Sequence, residues 1–290
     1  MTTPFPSPDA PIGIFDSGVG GLSVLRHIRA QLPHEHLIYF ADSGFAPYGD
    51  KPQMLVTERV LAIGAFFQAQ GAKAIVVACN TATVAAIASL RERYPGMPIV
   101  GVEPGLKPAA AATRTGIVGV LATERTLAGS KFLLLRDQIS AATGARFLLQ
   151  ACIGLADQIE SGALESDATD ALLQRFVHPL LDQGADVLVL GCTHYPLVQA
   201  SIERVIAAHT ERAVTLVDTG EAVARQLERL LTAGGIARPA MYSTPARLDG
   251  YTSASATALS AAFAGLLGLD PPVHEMSAAG AGSMLIRQNN

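Results

Sequence analysis

The sequence predicts an α/β protein built as two pseudo-symmetric, doubly wound parallel-sheet domains facing each other across a cleft. Three observations carry this expectation. Short apolar, β-branched runs alternate with helical periodicity along most of the chain, the pattern of parallel sheets with right-handed crossovers. Two of those runs, at 74–78 and 187–190, lead into a cysteine flanked by threonine and by asparagine or histidine, which points to an internal duplication. The chain has 290 residues, and two domains of ordinary size are the natural division of that length.

Composition narrows the function. The chain is 49% apolar and 16% charged, a balance that suits a packed enzyme and excludes a disordered segment. Its net charge of −4, with no Lys/Arg cluster, excludes a nucleic-acid footprint. Residues 1–11 have neither a basic nor an apolar region of signal-peptide type, and no apolar run approaches membrane-spanning length. Three cysteines without metal-type spacing suit free thiols in a reducing cytoplasm.

The elements follow in order. Residues 1–10, with three prolines, read as a loose tail. The first strand, 12–15, ends in Asp16-Ser17-Gly18-Val19-Gly20-Gly21-Leu22-Ser23, a glycine-rich turn that opens a helix to about Leu32. Such a turn lets backbone N–H groups approach an anion such as a carboxylate. Ser23 stands where a dinucleotide fingerprint needs its third glycine, and no Gly-Lys-Ser/Thr follows, so neither phosphate-loop motif is present. Asp16 and Ser17 are also good helix caps, and the segment alone leaves both readings open.

A second strand at 37–40 leads into a loop through Asp42, Pro47, Tyr48, Gly49 and Asp50. Its composition is ordinary turn chemistry, but its place after a strand puts it on the same rim as Asp16. A helix over 53–70 precedes the Cys79 unit, whose helix runs through Arg93, and a fourth strand spans 98–102.

The second half repeats the order. A strand at 116–121 delivers Thr123, which is a cap or a ligand contact. A strand at 147–150 leads through Cys152, read as structural, toward Glu160, which is a surface acid or a pocket group. A helix over 165–183 precedes Val187-Leu188-Val189-Leu190-Gly191-Cys192-Thr193-His194-Tyr195-Pro196, where Pro196 suits a first helical turn. Then come a strand at 214–217, a helix to about Leu231, a short strand at 241–243, a helix over 254–267 and a small, polar tail from about Ser277.

A thiol at the carboxyl end of a buried strand and the amino end of a helix lies where open α/β sheets bind ligands, in a field that favours thiolate. Free cysteine is more often a small core residue, but two such sites in one chain favour function. Far apart in sequence, the two thiols are not a redox pair of the C-x-x-C kind, and His194 is the only histidine in either unit to add to a metal site. Paired proton transfer fits better: one thiolate removes an α-proton while the opposed thiol supplies one, inverting the carbon. Rim amides, hydroxyls and helix N-termini are suitable parts for holding the substrate's carboxylate and the carbanion-like state. A Cys192/His194 hydrolase, a non-catalytic amino-acid-binding protein and a pyridoxal-phosphate racemase are the competing classes. The last is disfavoured, because none of the four lysines has a recognisable Schiff-base context.

The motifs IGIFDSGVGGLS at 12–23, PYG at 47–49, ACNTAT at 78–83 and GCTHYP at 191–196 together resemble the glutamate racemase family. The likeness extends from about residue 11 to 270. It implies a cofactor-independent isomerase, cytoplasmic and usually a homodimer, that interconverts L- and D-glutamate and supplies D-glutamate for peptidoglycan. It also implies that Cys79 takes the α-proton of the D-isomer and Cys192 that of the L-isomer. Asp16 would assist Cys79, and Glu160 and His194 would assist Cys192. Implied substrate contacts are Asp16, Ser17, Tyr48, Gly49, Asn80, Thr81, Thr123, Thr193 and His194. The layout implied is interleaved, 1–104 with 217–290 forming one domain and 105–216 the other. Ser43-Gly44-Phe45-Ala46 and Lys51-Pro52 depart from the family pattern without touching the cysteine motifs. Racemases for aspartate or another amino acid share the two-cysteine idea and are the alternative within the family.

Overall fold

The computed structural model describes residues 7–241, 244–279 and 283–286. The chain divides into two compact units, 1–102 with 220–290, and 103–219.

The first unit is organised around β1 (Ile12–Asp16), every residue of which is buried. After β1 come α1 (Leu22–Gln31), β2 (Leu37–Ala41), α2 (Gln53–Ala69), β3 (Ala74–Val77), α3 (Asn80–Arg93) and β4 (Ile99–Gly101). β2 and β3 lie parallel to β1 on either side, and β4 continues beyond β3. Period-two alternation sends successive side chains to opposite faces. Ile12 and Ile14 pack with Leu22, Leu25 and Ile28 of α1 on one face. Phe15 packs with Val60, Ile63 and Phe67 of α2 and Leu90 of α3 on the other. Gly13 shares that second face, where a Cβ would stand 2.4 Å from the Phe67 ring, so the helix sits directly on the strand backbone.

The second unit comprises α4 (Leu106–Ala112), β5 (Ile117–Ala122), α5 (Glu124–Ala128), α6 (Ser130–Thr143), β6 (Arg146–Ala151), α7 (Leu155–Glu160), α8 (Asp167–Asp182), β7 (Val187–Gly191), α9 (Gln199–His209) and β8 (Thr215–Val217). Its four parallel strands run in the order β6-β5-β7-β8. Leu121, Leu188 and Leu190 face α7, α8 and α9, while Val118, Val120, Val187 and Val189 face α4 and α6. In the first unit the corresponding order is β2-β1-β3-β4. β5, β6, β7 and β8 therefore repeat the plan of β1, β2, β3 and β4.

The chain returns to the first unit with α10 (Gly220–Ala233), β9 (Leu248–Thr252), α11 (Ala256–Leu267), β10 (Val273–Ala279) and β11 (Ser283–Ile286). Leu227 and Leu231 of α10 and Phe263 of α11 join the core on the α1 face.

Two expectations are corrected here. The Leu-Asp-Gly-Tyr-Thr run of β9 has no clean alternation and was not expected as a strand. It becomes one because it pairs with β2, Leu37 opposite Leu248, and Gly250 lets the Phe263 ring come within 2.9 Å of where a Cβ would be. Of the tail expected from about Ser277, residues 277–279 and 283–286 are instead strand. β10 pairs parallel to β9 and antiparallel to β11, so sheet pairing overrides a weak local preference. The short strand expected at 241–243 falls partly outside the described residues. Lesser differences are that Pro196 opens a 3-10 turn, Tyr195–Val198, before α9, and that neither Asp16 nor Ser17 caps α1, whose N-cap is Gly21 with no side-chain bond.

Candidate active site

In the first unit the site residues gather at the carboxyl ends of three adjacent strands. Asp16 lies opposite Ala41 in register, and the Ala78 N–H donates to the Phe15 carbonyl oxygen, so Asp16, Asp42 and Cys79 share one rim. The Asp42 N–H donates to the Asp16 carbonyl oxygen at 3.0 Å. The Asp16 carboxylate is fully buried and accepts from the Gly18 N–H at 3.1 Å, which braces the glycine-rich turn. Gly21 is the tight point of that turn: a Cβ there would stand 2.6 Å from Cβ of Asp16 and 2.9 Å from the Tyr39 hydroxyl. The same hydroxyl donates to the Gly18 carbonyl oxygen at 2.7 Å.

Cys79 is the N-cap of α3. Its sulfur accepts from the Ala82 N–H at 3.4 Å and lies 3.7 Å from Oγ of Ser17. A helix N-terminus directed at sulfur favours negative charge there. Asn80 and Thr81 follow in the first turn of α3, both buried. The loop after β2 carries Tyr48 and Gly49. Tyr48 is buried in the same cluster as Cys79, and its hydroxyl donates to Oδ2 of Asp42 at 2.5 Å.

In the second unit Thr123, Cys152 and Cys192 follow β5, β6 and β7, the counterparts of β1, β2 and β3. Gly191 closes β7 so near β5 that a Cβ would meet the Leu121 carbonyl oxygen at 2.8 Å. Sγ of Cys192 lies 3.7 Å from Nδ1 of His194, and Nε2 of His194 lies 2.7 Å from Oε2 of Glu160. An ionised carboxylate accepts only, so Nε2 carries a proton and Nδ1 is the nitrogen that faces the thiol. Glu160 ends α7, and the buried His194 follows Cys192 by two residues. Thr193 is buried between them in sequence. Thr123 caps α5, its hydroxyl oxygen accepting from the Thr126 N–H at 3.3 Å.

Cys152 has different surroundings. Burial pushes its thiol up to about 12, so it stays protonated near neutrality. Among the described residues no group of three or more His, Cys, Asp or Glu side chains is arranged to hold a metal ion. None of the helices there is long and apolar enough to cross a membrane.

Sequence reasoning placed Asp42 in the rim loop without giving it a role of its own, and it did not single out Arg59. Arg59 reaches from the second turn of α2 to form a forked pair with Asp42, Nε to Oδ2 at 2.9 Å and Nη2 to Oδ1 at 2.7 Å. The available signal was positional: Asp42 follows β2 as Asp16 ends β1.

Both units thus present a cysteine just past the carboxyl end of the strand beside β1 or β5, on a rim of polar groups of the kind where open α/β sheets bind ligands. A family model described as Asp/Glu/Hydantoin racemase matches residues 12–227, and the chain belongs to that family. Within it, the glutamate racemase of Ectopseudomonas mendocina is 57% identical over 222 residues, covering 77% of this chain and 82% of its own. That of Pseudomonas aeruginosa PAO1 is 52% identical over 236 residues, covering 81% and 87%. Among solved structures, Escherichia coli glutamate racemase in complex with L-glutamate and an activator superposes with a TM-score of 0.79 at 33% identity, covering 92% of this chain and 98% of that one.

Proposed function

We propose that this chain is a glutamate racemase that interconverts L- and D-glutamate by two-base proton transfer and supplies D-glutamate for peptidoglycan. The observation that carries the reading is the repeated strand-end cysteine, each with a polar partner beside its sulfur: Ser17 in one unit, His194 backed by Glu160 in the other. The glutamate racemases at 52–57% identity support the choice of substrate.

In this reading Cys79 and Cys192 act on the same α-carbon from opposite sides. From L-glutamate, Cys192 as thiolate removes the α-proton, and the electron pair passes onto the α-carbon and its carboxylate. Cys79 as thiol then delivers a proton to the other face, leaving D-glutamate and the two thiols in exchanged protonation states. The reverse reaction uses the same groups in opposite roles. His194, oriented by Glu160, assists Cys192. Asp16 assists Cys79. Asp16, Ser17, Tyr48, Gly49, Asn80, Thr81, Thr123, Thr193 and His194 hold the substrate's charged groups, and the helix N-termini stabilise charge building on the carboxylate. The reading includes a cytoplasmic location, which three free cysteines suit, and a homodimer as the resemblance implies. Sedimentation of the purified protein tests the dimer.

The Cys192–His194–Glu160 series also has the form of a hydrolase nucleophile and base, and one experiment separates the two. Circular dichroism follows L-glutamate mixed with wild type, Cys79→Ala, Cys192→Ala and Cys152→Ala. The racemase reading expects loss of optical activity with wild type and Cys152→Ala and none with the other two. Full activity in Cys79→Ala would overturn the two-base mechanism; no loss of optical activity with wild type, together with a stable acyl-enzyme on Cys192, would favour the hydrolase.

A further inference from the structure

Asp42 and Arg59 form the best-connected polar cluster on the rim that the mechanism above leaves unused. The Asp42 carboxylate is fully buried and accepts three bonds: two from the Arg59 fork and one from the Tyr48 hydroxyl at 2.5 Å. Arg59 also lies over the Phe45 ring, its Cζ 3.8 Å from the ring centroid. Phe45 and Tyr48 belong to the loop between β2 and α2. Asp42 starts that loop and Arg59 reaches back from the helix that ends it, so the pair clamps the loop at both ends. The Asp42 backbone N–H meanwhile donates to the Asp16 carbonyl oxygen, which ties the clamp to the glycine-rich turn. On the other side, the Gly44 N–H donates to Oγ of Ser253 at 3.0 Å.

The hydroxyl of Tyr48 is thus committed to Asp42. Burial, and then the Asp42 charge, holds its ionisation well above the ordinary tyrosine value, so it remains a donor. What the loop turns toward a ligand is set by its backbone, whose position depends on the clamp. Charge adds a second reason. Glutamate carries two carboxylates, and a buried, unneutralised Asp42 beside them would oppose binding. A guanidinium fork removes that charge while fixing direction, which an ammonium point charge does less well.

We propose that Asp42 and Arg59 are positioning residues that hold the Tyr48–Gly49 loop in its substrate-binding form and neutralise its one buried carboxylate. This rests on the reading that Tyr48 and Gly49 contact glutamate. The pair acts on binding and leaves the proton transfer at Cys79 and Cys192 untouched.

The test is steady-state racemisation of glutamate in both directions by wild type, Tyr48→Phe, Arg59→Lys and Arg59→Ala, with thermal melts of each. Losing one charge-assisted hydrogen bond corresponds to a KM roughly tenfold higher. Arg59→Ala, which removes two of the three bonds to Asp42, is expected to show that rise with kcat close to wild type, and Tyr48→Phe, which removes the third, a smaller one. Arg59→Lys is expected to raise KM less than Arg59→Ala, because it keeps the charge and loses the fork. An unchanged KM, or a loss carried by kcat, in Tyr48→Phe and Arg59→Lys overturns the proposal, as does a lowered melting temperature with wild-type kinetics. If wild type does not racemise glutamate, the functional reading fails and takes the clamp with it. If wild type does so and the variants keep its KM, the clamp alone is wrong.

Discussion

Cys79 and Cys192 stand at matching places in two sheets built to the same plan. β3 lies beside β1 as β7 lies beside β5, and each of the two strands delivers its cysteine within two residues of its end. The flanking groups are not matched. Cys79 has Ser17 at 3.7 Å and the amino end of α3, whereas Cys192 has the His194–Glu160 pair. One thiol is served by a hydroxyl and a helix end, the other by an imidazole with a carboxylate behind it.

Glu160 is therefore expected to matter through His194. Glu160→Gln keeps size but no longer fixes which imidazole nitrogen carries the proton. Loss of such an orienting partner lowers kcat/KM about 10–100-fold. The fall must be equal in the two directions, because a racemisation equilibrium constant is unity. Initial rates with L- and D-glutamate check this, and a rate unchanged in both directions would remove Glu160 from the mechanism.

Gly21 has no room for a methyl group, with Cβ of Asp16 at 2.6 Å and the Tyr39 hydroxyl at 2.9 Å from its built Cβ. Gly21→Ala is expected to displace Asp16 and the turn, at a stability cost of about 1–3 kcal/mol. A displacement on the order of 1 Å lowers activity about 100-fold. Kinetics and urea unfolding of the single variant measure both. Wild-type activity would show that the turn absorbs the methyl without moving Asp16.

At the opposite end of the first sheet, Lys73 and Glu35 form a buried ion pair, Nζ to Oε2 at 2.5 Å, with side chains 0% and 2% exposed. Lys73→Met leaves Glu35 buried without its cation and should destabilise the chain by about 3–5 kcal/mol. Lys73→Met combined with Glu35→Gln should recover a substantial part of that loss. Urea unfolding of the two variants decides. Equal stabilities would mean that the pair is not electrostatically coupled.

Asp186 gives the acid side of the stability profile. Burial opposes its ionisation, but hydrogen bonds from the Thr113 and Thr115 hydroxyls and the Arg114 and Thr115 N–H groups outweigh that and hold it below the ordinary 3.8. A depressed carboxylate stabilises the fold above its unfolded value, and that contribution disappears as pH falls through the folded value. Asp186→Asn should lose about 2–3 kcal/mol at neutral pH. The gap from wild type should close as pH drops below 3.8. A gap independent of pH would assign the loss to packing.

Much of this was legible in the chain. Ile12–Phe15, Ala74–Ala78 and Val187–Leu190 are apolar on both faces, which only a strand inside a parallel sheet requires, and their polar endings marked the rim. β9 and β10 were not legible, because Asp249, Gly250 and His274 carry no strand signal and become strand only by pairing with β2 and β9. Arg59 was hidden for a similar reason. An arginine on an exposed-looking helix turn gives no sign of the buried Asp42 it meets 17 positions earlier.

The sequence by itself determined the α/β class, the duplicated cysteine units and the polar residues at the strand ends, because periodicity and strand-end chemistry are local properties. Tertiary structure decided the pairing of His194 with Glu160, the commitment of the Tyr48 hydroxyl to Asp42 and the burial that raises the Cys152 thiol. Each of these depends on a partner or on burial supplied by distant chain, and distance through space is the quantity a linear pattern does not contain.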